Sequence, residues 1–419
     1  MMKVGIEALN VYGGITKLDL KQLAAARNLE ANRFEKLLMQ DKTVAMPYED
    51  AVSCAVNAAK PLVAAMSAAE KAQIELLIVC TESGIDFSKS VSTYVHDYLG
   101  LGRNCRLFEV KHACYAGTAG FQMAVNFILS QASPNAKALV ILSDIARFIP
   151  GNGGVVQDQD WSYAEPSSGA GAVAILVSNQ PQLLQIDVGC NGYYGHEVLD
   201  TARPLPDTEF GDADLSLLSY LDCCENAYRH YTERVEDVDY QDTFQYLAFH
   251  TPFGGMVKGA HQMMMRKFKQ YRPEPIAEDF QKRVLPGLQY CQTIGNIMSG
   301  TVFVSLTGII AHGQFHMPQR VGIFSYGSGC CSEFYSGIIP PHAPSVLAKQ
   351  QIANRLAARH PLTMAQYESI LHNNYKVAFG TRNVKLDEGP VPEVWERIQG
   401  SGLLMLREIK EFHRRYEWV

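Results

Sequence analysis

The sequence predicts an α/β protein in which helices cover a central sheet. Short apolar runs that read as buried strands alternate with helical segments along the first half, and the second half repeats that style without repeating its letters. Reactive residue types fall at the ends of those strands, where α/β proteins build their sites.

Ile74 to Cys80 reads as a buried strand, Val91 to Leu99 as a helix, and Cys105 to Val110 as a short strand leading into a helix that begins after Cys114. Lys137 to Leu142 is a further strand ending in Ser143-Asp144. Gly169 to Val177 follows a loop containing Gly151-Asn152-Gly153-Gly154. In the second half Leu215 to Tyr231 and Met256 to Gln270 read as helices, and Gln245 to Phe249 as a strand. Ser299 to Ala311 reads as a buried helix, and Arg320 to Ser325 as a strand running into the turn Tyr326-Gly327-Ser328-Gly329. A structural duplication is expected, with halves at 1–178 and 179–419. A Pro-rich stretch, Pro340 to Pro344, sets off a polar region, Ser345 to Val419, expected to pack on the core as helices.

A chain of 419 residues has room for two core-forming halves, and 47% apolar with 19% charged residues is the composition of a soluble globular protein rather than a disordered one. A net charge of −6 argues against general nucleic-acid binding, which needs a basic surface. The N-terminus lacks the long apolar stretch of a signal peptide, and the runs Ala170 to Val177 and Thr301 to Ala311 are too short or too interrupted to span a bilayer, so a cytoplasmic location is expected. In that compartment the ten cysteines would be reduced. Cys223-Cys224 and Cys330-Cys331 are adjacent pairs without metal-ligand spacing and read as small core residues; no metal is expected. No phosphate-cradling loop or dinucleotide fingerprint is present, so no nucleotide cofactor is expected either.

Cys114 sits where a strand gives way to a helix rich in small residues, Ala116, Gly117, Ala119 and Gly120. A helix N-terminus favours the thiolate, and small residues would let neighbouring backbone and a thioester approach; the competing reading is an inert buried cysteine. Glu82 closes a strongly apolar strand. It is either a solvated loop carboxylate or a partly desolvated general base. His250 ends another strand, as a satisfied core histidine or as a proton donor to a developing alkoxide. Asn296, before a helix, either caps it or binds a carbonyl oxygen, and the turn Tyr326, Gly327, Ser328 is either an ordinary turn or part of an oxyanion hole. Lys258, Arg266, Lys267, Lys269 and Arg272 form a basic cluster, read as a solvated helix face or as a dock for a phosphorylated arm or acidic carrier.

Glu82-Ser83-Gly84, Lys111-x-Ala113-Cys114-Tyr115-x-Gly117-Thr118, His250-Thr251-Pro252-Phe253, Gly295-Asn296 and Ser325-Tyr326-Gly327-Ser328-Gly329 together resemble 3-hydroxy-3-methylglutaryl-CoA synthases in order and spacing, over nearly the whole chain. Glu82-Ser83-Gly84-Ile85-Asp86-Phe87, Gly117-Thr118-Ala119-Gly120-Phe121-Gln122 and the run from Tyr326 to Phe334 resemble the branch found in polyketide β-branching cassettes of the curacin and bacillaene kind. The resemblance implies a thiolase-like duplicated fold layered α-β-α-β-α, a homodimer, and a catalytic set carried by Glu82, Cys114 and His250. It also implies that Asn296 orients the acceptor keto group, that Tyr326 to Ser328 border the thioester, and that Lys258 lies near the pantetheine entrance. Asp144 and Asp200 match acidic positions of the family. No cofactor is implied beyond the phosphopantetheine of acyl carrier proteins, the expected partners, or of CoA. Ala116 stands where many primary-metabolism members have glycine, and the basic stretch need not hold a nucleotide, which puts CoA as the carrier in question.

Overall fold

The computed structural model describes residues 2–147, 161–205, 207–269 and 273–419. The Gly151-Asn152-Gly153-Gly154 loop and Arg272 lie outside the described residues. The central element is a nine-stranded sheet. Its strands are β1 (Gly5–Tyr12), β2 (Ile74–Cys80), β3 (Arg106–Val110), β4 (Lys137–Ile145) and β5 (Ala170–Ser178). They continue with β6 (Leu184–Gly195), β7 (Tyr246–Phe249), β8 (Gln319–Gly327) and β9 (Cys331–Ile339). The order across the sheet is β7-β8-β9-β6-β1-β5-β4-β2-β3.

That order reads the same outward from its centre. β2 and β4 are parallel, as are β7 and β8; β4/β5 and β8/β9 are antiparallel; β5/β1 and β9/β6 are antiparallel. β1 and β6 join the two sets through Gly5 opposite Gln185 and Ile6 opposite Leu184. At Gly5 any side chain would collide with the neighbouring strand, since a Cβ there would lie 2.0 Å from the Leu184 carbonyl oxygen. Among the described residues no helix is long and apolar enough to cross a membrane.

Helices α1 (Ala51–Ala64) and α3 (Ala213–Arg234) occupy equivalent outer positions, α1 against β1, β4 and β5 and α3 against β6, β8 and β9. α1 starts on a capping box in which Asp50 accepts from the Val52 and Ser53 amides and Ser53 accepts from the Asp50 amide. Between the half-sheets lie α2 (Ala116–Ser130) and α5 (Thr301–His312), with α4 (Gly254–Lys269) on the outer side of the second half. Phe121 of α2 meets Phe303 of α5 edge to face at 5.3 Å. Buried residues fall into three clusters, one outside each half-sheet and one between them, which is the α-β-α-β-α layering of the thiolase-like fold. Burial of these apolar faces, at roughly 25 cal/mol per Å², is what holds the layers together.

The C-terminal region differs from the all-helical expectation. Short helices such as Met364–Asn373 and Pro392–Ile398 are joined by a three-stranded sheet of Asn383–Lys385, Leu404–Lys410 and His413–Trp418. The sheet anchors to the body through Arg414 Nη1 and Tyr416 Oη, which donate to Asp50 at 3.0 and 2.7 Å.

Candidate active site

Cys114 lies in the turn between β3 and α2, with Ala113 before it held at φ +39°, a left-handed conformation unusual for a residue with a Cβ. Gly327, the last residue of β8, backs this turn: a Cβ there would lie 2.5 Å from the Tyr115 nitrogen. The glycines of α2 serve the close approach of neighbouring elements, one of the two uses expected of these small residues, rather than the approach of a thioester. A Cβ on Gly117 would lie 2.1 Å from the Ser299 carbonyl oxygen, and one on Gly120 2.4 Å from Cys80 Sγ, so both serve close packing of α2 against its neighbours. Nor does the helix start lower the thiol. Tyr115 and Ala116 already donate to the His112 carbonyl at 3.0 and 3.2 Å, and burial, then the Glu82 carboxylate, pushes the Cys114 thiol well above its ordinary value.

Glu82 follows β2, and its loop is clamped by Asp144 at the end of β4. One Asp144 oxygen accepts from the Glu82 amide at 2.8 Å, the Ser83 amide at 3.1 Å, and the Thr81 and Ser83 hydroxyls at 3.0 Å each. The other accepts from the Ser299 hydroxyl at 2.6 Å and its amide at 3.2 Å. Asp144 is fully buried and ties the Glu82 loop to the segment in front of α5. Burial pushes the Glu82 carboxyl up to about 7, against the opposing pull of Arg203.

Sequence reasoning missed Arg203. It sits on a short hairpin, Thr201–Leu205 with Thr208–Gly211, and its Nε approaches a Glu82 oxygen at 3.2 Å while its Nη2 binds Glu209. Its proximity in sequence to Asp200, an acidic position already singled out, was the available signal. Asp200 itself is buried and accepts from the Tyr326 hydroxyl at 2.5 Å and the Gly329 amide at 2.9 Å. Tyr326 and Gly327 therefore stand behind the cavity as supports; of the predicted turn, Ser328 lines it.

His250 directly follows β7. Its amide donates to the Phe324 carbonyl at 2.8 Å and its carbonyl accepts from Tyr220 Oη at 2.7 Å. The ring is buried, Nδ1 has no hydrogen-bond partner among the described residues, and burial lowers its pKa to about 3, which keeps the imidazole neutral. The residue at the start of α5 is Gly300, and Asn296 holds the turn ahead of that helix without capping it. Its Oδ1 accepts from the Met298 amide at 2.9 Å and the Thr301 hydroxyl at 2.8 Å, which turns the chain into α5, and the residue also lines the cavity.

Cys114 and Glu82 open on one cavity of about 1420 Å³, larger than the roughly 300–1,000 Å³ of a typical small-molecule pocket, and His250 is not among the residues that line it. Cys114, Glu82, Arg203, Asn296 and Ser328 line it, with Pro252 and Phe253 from the segment after His250. The C-terminal region contributes to the wall through Val377 and Phe379, the latter packed on exposed Phe87 at 4.7 Å between ring centroids. On α4, Lys258 and Gln262 line the mouth, and Arg266, one turn further, is exposed on the same face. The basic cluster is not uniform: Lys267 pairs with Glu225, and Lys269 with Asp239 at 2.6 Å.

A cysteine in the turn before α2, a desolvated carboxylate raised toward neutrality and a neutral buried imidazole, after strands of a duplicated layered sheet, fit the class of thiolase-like condensing, acyl-transferring enzymes. The chain belongs to the hydroxymethylglutaryl-CoA synthase family. Residues 1–181 match the description "Hydroxymethylglutaryl-coenzyme A synthase N terminal" and residues 266–417 its C-terminal counterpart. The chain is 59% identical to the polyketide biosynthesis 3-hydroxy-3-methylglutaryl-ACP synthase PksG of Bacillus subtilis strain 168, over the full length of both. It is 30% identical to a hydroxymethylglutaryl-CoA synthase of Enterococcus faecalis, over 88% of this chain and 91% of that one. The crystal structure of the curacin-pathway HMG synthase in complex with acetyl donor-ACP superposes with a TM-score of 0.96, at 61% identity and full coverage of both chains.

Proposed function

We propose that this chain is a 3-hydroxy-3-methylglutaryl-ACP synthase of polyketide β-branching. The observation that carries the reading is full-length identity of 59% to an enzyme described by that activity. It is joined by the likeness to a synthase crystallised with acetyl donor-ACP. In this reading Cys114 attacks the acetyl thioester of a donor carrier protein, its proton passes to the departing pantetheine sulfur, and an acetyl-Cys114 thioester forms. Glu82 then takes a proton from the acetyl methyl, and the new carbon nucleophile attacks the β-keto carbon of a chain on a second carrier. The neutral His250 imidazole passes its N–H proton to the developing alkoxide as it takes up the proton that Glu82 removed, so both groups return to their starting states. Asn296, its Oδ1 already occupied, offers its amide N–H to the acceptor keto oxygen, and Ser328 borders the thioester. Water releases Cys114 as a thiol and leaves a free carboxylate on the product. Arg203 acts as a positioning residue through Glu82, and Asp144, Asp200, Tyr326 and Gly327 hold the loops.

Lys258, Gln262 and Arg266 form a path from the cavity mouth to the surface, suited to a pantetheine arm with the acidic carrier at Arg266; Lys267 is already paired with Glu225, which it shares with Arg229. The reading also includes a division of the chain near residue 178, a homodimer, and a cytoplasmic protein needing no cofactor beyond the carrier-borne pantetheine. Its test is reconstitution: acetyl-carrier and acetoacetyl-carrier protein are supplied together and the acceptor carrier is weighed by mass spectrometry. Gain of a hydroxymethylglutaryl group in place of acetoacetyl is expected. No product from carriers, with turnover of acetyl-CoA and acetoacetyl-CoA, would instead make the chain a synthase of isoprenoid metabolism.

A further inference from the structure

Behind the Ser328 turn, residues far apart in sequence bring three ligand-type side chains together. Cys223 lies on α3, His196 directly follows β6, and Cys330 occupies the turn between β8 and β9. The two sulfurs are 3.5 Å apart, and Cys330 Sγ lies 3.5 Å from His196 Nδ1 and 3.9 Å from Nε2. One ligand atom from each residue falls within 4.8 Å of the others.

The arrangement is set by the backbone rather than by the side chains themselves. The Cys330 amide donates to the His196 carbonyl at 2.7 Å, and the Val198 amide to the Gly329 carbonyl at 2.9 Å. The Gly329 amide in turn donates to buried Asp200 at 2.9 Å, which fixes the turn through a further partner. Tetrahedral zinc with Zn–S of about 2.3 Å and Zn–N of about 2.0–2.1 Å separates two sulfurs by roughly 3.8 Å and a sulfur from a nitrogen by roughly 3.5 Å. The sulfur–sulfur and Cys330–His196 separations reach those values with shifts of a few tenths of an ångström, whereas Cys223 and His196, within 4.8 Å of each other, close further through rotation of the exposed imidazole.

We propose that His196, Cys223 and Cys330 form a site for a thiophilic divalent ion, Zn²⁺, with its fourth position open on the solvent side. Both cysteines are buried and the histidine is exposed, so the ion enters and keeps a water from that side. Two soft sulfurs and an imidazole select zinc over magnesium or calcium, which prefer oxygen. Binding releases the two thiol protons, so uptake strengthens as pH rises. A bound ion joins α3, the end of β6 and the β8–β9 turn next to Ser328.

The test uses the full chain, reduced and chelator-treated, titrated with Zn²⁺ and separately with Co²⁺. One ion per chain is expected, with sulfur-to-cobalt charge-transfer absorption that persists in Cys114→Ser and disappears in Cys223→Ser. Because Cys223 is buried, exposed His196→Ala provides the second variant. Removing a group that merely supports a ligand costs about 10–100-fold in affinity, and loss of a ligand is expected to cost more. Absence of stoichiometric uptake, or uptake unchanged in both His196→Ala and Cys223→Ser, would overturn the proposal. A Cys223–Cys330 disulfide in protein purified under mild thiol reductant would overturn it as well.

Discussion

Glu82 suits the proposed role of base because it is buried without being abandoned: Asp144 holds its loop and Arg203 steadies its charge. Removing the carboxylate with Glu82→Gln should leave acetyl-Cys114 formation intact and lower condensation by about 10²–10⁴-fold, the usual worth of a positioned base. Near-normal condensation in rapid-quench assays would remove Glu82 from that role. The pH dependence has a definite sign. A carboxyl raised to about 7 is ionised above that pH, so single-turnover condensation should rise with pH through about 7 and fall away below it. Arg203 lowers the Glu82 carboxyl, so Arg203→Gln should move the acidic limb to higher pH; a limb that stays in place would separate the two residues. Residue types and strand-end positions made Glu82, Cys114 and His250 legible as candidates in the sequence, and the resemblance set them apart from solvated or core alternatives. Their electrostatics were not legible, because a thiol's pKa depends on which amides are already bonded and which carboxylates face it. Arg203 was hidden for the same reason: the hairpin that carries it gains meaning only when folded over β2.

At the scale of elements, α4 and the β8–β9 turn carry the sharpest expectations. If the face through Lys258, Gln262 and Arg266 is the carrier's approach, Arg266→Glu should slow acetylation of Cys114 from a carrier protein and leave acetylation from acetyl-CoA little changed. Stopped-flow quenching with both donors measures this, and equal slowing with both would point to damage within the cavity. Gly327→Ala forces backbone apart at the nucleophile turn, so a stability loss of about 1–3 kcal/mol in urea titrations and a slower acylation step are expected together. Strands buried on both faces were plain in the sequence, and Ile74–Cys80 matches residue for residue. β1, β6, β9 and the C-terminal strands were missed because apolar residues there are interrupted by glycine and polar residues or interleaved with charge, as in Leu404–Lys410. Cys223 and Cys330 show the same limit: spacing along the chain argued against ligands, and only folding made them neighbours.

For the whole molecule, the repeated strand order explains why one cavity is lined from both sides of the sheet's centre. Cys114 and Glu82 come from strand ends on one side, and Ser328 and the segment after His250 from the other. The C-terminal region, unreadable in sequence, contributes to the cavity wall through Val377 and Phe379. A large cavity with an α4 face leading outward fits a long tethered substrate better than a small free one. The most direct test is the rate of Cys114 acetylation from acetyl-carrier protein and from acetyl-CoA, followed by intact-protein and peptide mass spectrometry. Carrier recognition predicts faster labelling from the carrier protein by about tenfold or more, as expected for charge-steered docking. Equal or faster labelling from acetyl-CoA would contradict it.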